Sequence, residues 1–161
     1  MSGTWRALAA DTSQVTALLV ALTEHADIDT RATAAGGTGD WPAALDLLGQ
    51  GEAALDAARG ARDQLAATND VSALDDLLDA YADYDAALVA LYSAVRDGEE
   101  QDSQKVRDLA AAVVAARERL PADESALREF VAGMAGAAIA AEVVDLEAAR
   151  GTVDEAVSNL P

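Results

Sequence analysis

From Trp5 onward the apolar positions recur at alternating spacings of three and four: Trp5, Leu8, Thr12, Val15, Leu19, Leu22 and Ala26. That rhythm places them on one face of a helix. It predicts a first helix over 4–35, stopped by Gly36-Gly37. The same period continues in four more segments. Over 41–67 it runs through Ala44, Leu48, Gly51, Leu55, Ala58, Arg62 and Leu65. Over 71–97 it is carried by Val71, Leu74, Leu78, Tyr81, Leu88, Tyr92 and Val95, widened by Leu77, Tyr84 and Leu91. Over 103–120 it uses Val106, Leu109, Val113, Ala116 and Leu120, and a last segment spans 123–159. The expected fold is all-α: an elongated antiparallel bundle of about five helices, one domain over 1–161.

Punctuation supports these limits. Asp40 precedes Trp41-Pro42 as an N-cap, with the proline in the first turn, where its missing N–H costs little. Ser72 and Asp75 have the spacing of a capping box. Pro121 ends the fourth helix, because the residue before a proline is pushed out of helical geometry, and Asp123 is placed to cap the fifth. Folding the second and third helices about Asn69 sets Leu48 near Leu91, Gly51 near Leu88 and Leu65 near Leu74, small residues facing large ones. The same register predicts Arg62 beside Asp76 and Arg59 beside Asp79, pairs worth about 0–1 kcal/mol when exposed. Folding the fourth and fifth helices about Pro121-Ala122 sets Val113 against Phe130 and Leu109 against Met134. Gly133, Gly136, Ala137 and Ala140 make the fifth helix slim enough to be the central, most buried element.

Composition narrows the function. Of 161 residues, 29 are acidic and 11 basic, so the net charge is 11 − 29 = −18. A surface this negative opposes nucleic-acid phosphates and anionic membranes, both of which are held by clustered Lys and Arg. With no Cys, thiolate chemistry and Cys-based metal sites are excluded. The single histidine, His25, follows Glu24, but adjacent helical residues point about 100° apart, so it reads as a partly exposed surface residue. No Glu has a His three residues on, which removes the paired di-metal motif of helical bundles. Asp75, Asp76, Asp79, Asp83 and Asp85 lie on a regular helix and read as a solvated acidic face instead of a calcium loop. Gly49-x-Gly51 has no preceding strand and no following Lys-Ser/Thr, so it reads as a close helix contact. No apolar run reaches the ~18 residues of a membrane span; the longest, Phe130 to Ala141, has 12. No catalytic, cofactor-binding or metal-binding residue is assigned.

Gly39 to Asp46, Asp83-Tyr84-Asp85-Ala86-Ala87-Leu88 with Leu91-Tyr92, and Leu146-Glu147-Ala148-Ala149-Arg150-Gly151 resemble segments of uncharacterised all-helical proteins of high-GC bacteria, some of them exported. The resemblance spans about 39 to 157 and implies no activity and no functional residues. It leans localisation toward an exported protein, periplasmic or on the cell surface, whose signal is missing here; the alternative is cytoplasmic. The expected function is a non-catalytic scaffold or protein–protein interaction domain without cofactor. One alternative is a small-molecule-binding, sensor-like bundle with Tyr81, Tyr84, Phe130 and Met134 around a cleft. Another is a self-associating module packing Val153, Val157 and Leu160 against a second copy.

Overall fold

The computed structural model describes residues 3–121 together with 125, 127–134, 136, 140, 143, 144 and 148. Four helices follow one another: α1 (Gly3–Gly37), α2 (Trp41–Leu65), α3 (Ser72–Arg96) and α4 (Gln104–Arg117). Residues 127–134 are helical as well, and there is no strand among the described residues. The protein is an all-α helical bundle. The sequence-predicted limits hold within about three residues at each described end. The end of the fifth segment, with Val153, Val157 and Leu160, lies outside the described residues, as do Asp123, Ala137 and the side chains of Trp5 and Leu8.

The helix ends are built locally. Asp40 accepts the Ala43 N–H at 3.2 Å to cap α2, and Ser103 accepts the Val106 N–H at 3.2 Å to cap α4. α3 departs from expectation. Ser72 is its first helical residue, and Asp70 accepts the Ser72 N–H at 3.0 Å in place of a Ser72–Asp75 capping box. α1 ends at Gly36-Gly37 as expected, and Gly39, at φ +82°, then turns the chain, the Asp40 N–H closing onto the Ala35 carbonyl at 2.9 Å. Gly98, at φ +98°, ends α3 in the same way, with the Glu99 N–H bonded to the Ala94 carbonyl at 3.0 Å.

Packing divides into two apolar clusters along the bundle. The first joins Val15, Leu18 and Ala21 of α1, Leu55, Ala58, Ala61 and Leu65 of α2, and Val71, Leu74 and Leu78 at the start of α3. Its Leu18, Leu55, Leu65, Leu74 and Leu78 are the largest fully buried side chains, each contributing about 1.5–3 kcal/mol on removal from water. The second joins Ala32, Ala44, Leu48, Tyr84, Leu88, Tyr92 and Ala116. At the far end of α1, Asp11 accepts from the Asn69 amide at 3.3 Å and ties the helix to the α2–α3 turn. α2 packs on α1 at Gly51, against His25 and Ile28, whereas its seam with α3 is wider and leaves a groove.

Three expected pairings are corrected. On α1 the buried face turns at Val15 to Leu18, His25, Ile28 and Ala32, leaving Leu19 40% exposed. Arg62 pairs with Asp75 (Nε–Oδ1 2.7 Å), not Asp76, and Arg59 bonds Asp56 on its own helix at 3.2 Å instead of Asp79. Among the described residues the pairings expected of the second hairpin are not found. Phe130 and Met134 pack on the first cluster, whereas Val113 belongs to the second. Phe130 and Met134 also border Ser72 and Ala73 at the start of α3, while Val106 and Ala110 border Tyr92 near its end, and Arg119 reaches Asp83 between them at 3.1 Å. The chain therefore keeps travelling along α3 past Pro121 instead of doubling back. The expected central place of the fifth helix fails on the described residues too, since Gly133, Gly136 and Ala140 are exposed.

Gly36 lets α1 pass Tyr92. A β-carbon there would lie 2.5 Å from the Tyr92 Cζ, and that ring is held by Trp41 at a centroid distance of 5.4 Å. A β-carbon on buried Gly51 would meet His25 Cδ2 and Ile28 Cγ2 at 3.5 Å, ordinary contact. Gly36→Ala is expected to destabilise by about 1–3 kcal/mol through overpacking. Gly51→Ala should leave stability unchanged or raise it, as alanine favours helix by about 1 kcal/mol. Paired thermal melts check the contrast; equal behaviour of the two variants contradicts the close approach at Gly36.

Candidate functional site

Between the two apolar clusters lies a polar layer drawn from three helices. His25 of α1 is 2% exposed, and its Nε2 stands 2.8 Å from Oδ2 of Asp85 on α3, itself 8% exposed. With Asp85 as carboxylate, the imidazole is the donor. The Tyr81 ring meets the imidazole edge-on at a centroid distance of 5.1 Å. Gly51 of α2 faces both partners: a β-carbon there would lie 3.5 Å from His25 Cδ2 and 3.7 Å from Asp85 Oδ2. His25 is thus a core residue and not the surface residue the sequence implied. Asp85 is likewise removed from the acidic face, on which Asp76, Asp79 and Asp83 remain exposed. A signal was present in the sequence: a stripe continued through Leu18 instead of Leu19 passes through His25.

A second carboxylate stands one turn along α1. Asp29 is partly buried, and its pKa is raised first by that burial and then by the charge of Asp85, with His25 and Arg117 acting in the opposite sense. Burial also raises the Tyr84 hydroxyl pKa, reinforced by Asp29 and moderated by a hydrogen bond with Thr33. Buried Oδ1 of Asp29 and buried Oδ1 of Asp85 have no hydrogen-bond partner among the described residues. No three His, Cys, Asp or Glu side chains converge as a metal site among the described residues.

Asp85 connects this layer to the outside. The wide seam between α2 and α3 leaves a groove of about 710 Å³, open along one side. Leu45, Leu48 and Leu55 form its α2 wall, and Ala86, Val89 and Ala90 its α3 wall. Asp85 and Glu52 stand at mid-length, Arg59 toward one end and Arg96 toward the other. From Leu45 to Arg59 the groove follows α2 for about 21 Å at 1.5 Å per residue. The cleft expected around Tyr81, Tyr84, Phe130 and Met134 does not assemble. Tyr81, Phe130 and Met134 pack against the first cluster, and Tyr84 is buried in the second.

No helix among the described residues is long and apolar enough to cross a membrane. Comparison of the chain with family models, curated proteins and solved structures gives no match. The site therefore rests on its own geometry.

Two outcomes follow from the layer. Removing one member of a buried pair leaves the other uncompensated, at about 3–5 kcal/mol, whereas apolar replacement of both is often neutral. His25→Leu should lose about that much in urea unfolding, and His25→Leu with Asp85→Leu should regain most of it; additive losses would show that the two side chains do not act as a pair. The raised Asp29 pKa gives the second outcome. A carboxyl whose folded pKa lies above its unfolded value of 3.8 contributes stability below that value and loses it as pH rises through the folded pKa. Asp29→Asn should therefore raise the melting temperature at pH 7, with the gain shrinking as pH falls toward 3.8. A gain independent of pH would remove the electrostatic cause.

Proposed function

We propose that the protein is a non-catalytic helical-bundle scaffold whose role is protein–protein interaction, with the α2–α3 groove as its contact surface. One observation carries this reading. The imidazole of His25 is buried against Tyr81 and only its partner Asp85 lines the groove, while the apolar concavity around Asp85 is long and open. Small-molecule sites enclose most of their ligand's surface. A groove open along some 21 Å suits an extended element of another chain, as in helix-in-groove recognition. Leu65, Leu74, Leu78, Tyr84, Leu88 and Tyr92, which do not line it, are used in holding the helices together. Export from the cytoplasm remains part of the proposal on the resemblance alone.

The test is a photoreactive residue placed at Val89 in the groove or at Val114, 58% exposed on α4 outside it, in the cells that make the protein. Position 89 should give a discrete protein adduct that disappears when Ala86→Arg fills the groove, and position 114 should give none. Adducts of equal yield at both positions, or none at either, overturn the reading. Native mass spectrometry of the purified chain addresses the sensor-like alternative: a retained small molecule of fixed mass would replace the interaction reading with that one.

A further inference from the structure

We propose that the groove between α2 and α3 receives an amphipathic helix of a partner protein that carries one basic side chain near the middle of its apolar face and acidic side chains toward both ends. The proposal rests on the interaction reading above and specifies the partner's chemistry.

The charges along the groove carry it. Gly51 faces Asp85, which fixes the level at which α2 and α3 stand, so Glu52 on the rim and Asp85 on the floor mark the same point at mid-length. Asp85 gives Oδ2 to His25, and its side chain, 11% exposed, lines the groove, so a cation arriving along the groove meets a negative charge set in an apolar floor. Arg59 lies seven residues from Glu52 along α2, about 10 Å, and Arg96 lies eleven residues from Asp85 along α3, about 16 Å in the other direction. Each arginine already touches a neighbouring carboxylate, Asp56 at 3.2 Å and Asp97 at 2.9 Å, but a guanidinium has five donors and both side chains remain partly exposed. The pattern along the seam is positive, negative, positive. On a docked helix with the same rise per residue the complement is an acidic residue, a basic one about seven positions on, and a second acidic one about eleven beyond that.

The apolar walls accept the side chains between those charges, ridge into groove. Net charge argues against the most available other occupant. Two chains each at −18 repel, so a second copy is disfavoured, whereas a basic centre is drawn in.

Three fluorescein-labelled Ala/Leu helical peptides of about 20 residues test this, spaced as above. The first has a central Lys and terminal Glu, the second a central Glu, and the third terminal Lys. Fluorescence anisotropy at low salt against the full chain should show the first binding at least about tenfold more tightly than the others. Glu52→Lys, on the rim and outside the core, should remove the preference for a central Lys. Arg96→Glu should shift preference toward the third peptide. Asp85→Asn, with folding checked by circular dichroism, should weaken the first peptide by about tenfold. Equal binding of all three peptides, an order unchanged by Arg96→Glu, or binding of none overturns the proposal. Failure of the peptides alongside a discrete Val89 adduct discards the partner chemistry alone; loss of the adduct discards the interaction reading with it.

Discussion

The contact between His25 and Asp85 sets how the helices of this bundle can align. Apolar layers are permissive. Ala, Leu and Val tolerate a shift of one turn as long as volume is roughly conserved, and a bundle stabilised by them alone has several nearly equivalent registers. A buried imidazole and a buried carboxylate are not permissive. Sliding α3 past α1 by a turn strands both among aliphatic side chains, and an unpartnered buried charge costs about 3–5 kcal/mol, a large part of the stability of a chain this size. The pair adds little to net stability against an apolar substitute, but it makes the alternatives expensive.

The rest of the architecture is arranged around that layer. Gly51 lies where α1 and α3 meet across α2, and Tyr81 closes the ring edge-on. Five fully buried leucines supply the cohesion of the cluster on one side, and a Tyr-rich cluster with Ala32, Ala44 and Ala116 fills the other. α2 approaches α1 at Gly51, and its seam with α3 is the wider one. The wide seam opens into the groove, and Asp85 stands at its floor. The residue that pairs with the buried imidazole therefore also lines the groove, and under the proposed function core alignment and recognition would share one side chain.

Asp29 sits less comfortably. Its burial beside Asp85 puts two carboxylates close together with one imidazole and the more distant Arg117 to balance them. The arrangement lowers stability at neutral pH. Its place one turn beyond His25 couples its titration to the charge of Asp85, which raises its pKa, and to that of His25, which lowers it.

Much of the fold was legible in the chain because helix periodicity, glycine and proline stops and Asp or Ser caps act within a few residues. The limits of α1 to α4 and nearly all the buried face of α2 follow from those local rules. Residue identity also determined the composition-level exclusions, which need no coordinates. What tertiary structure decided were relations between helices. Whether Leu18 or Leu19 faces inward is a rotation of tens of degrees, small in a spacing pattern but decisive for His25, whose meaning changed with it. Whether Pro121 reverses the chain or lets it run on along α3 depends on which surface the next apolar residues find, and Phe130 and Met134 found the first apolar cluster instead of the one that holds Val113. A carboxylate sixty positions away from its imidazole has no signature in sequence. The pairing exists because side-chain sizes at two seams set how closely three helices approach, and those distances are properties of the assembled bundle.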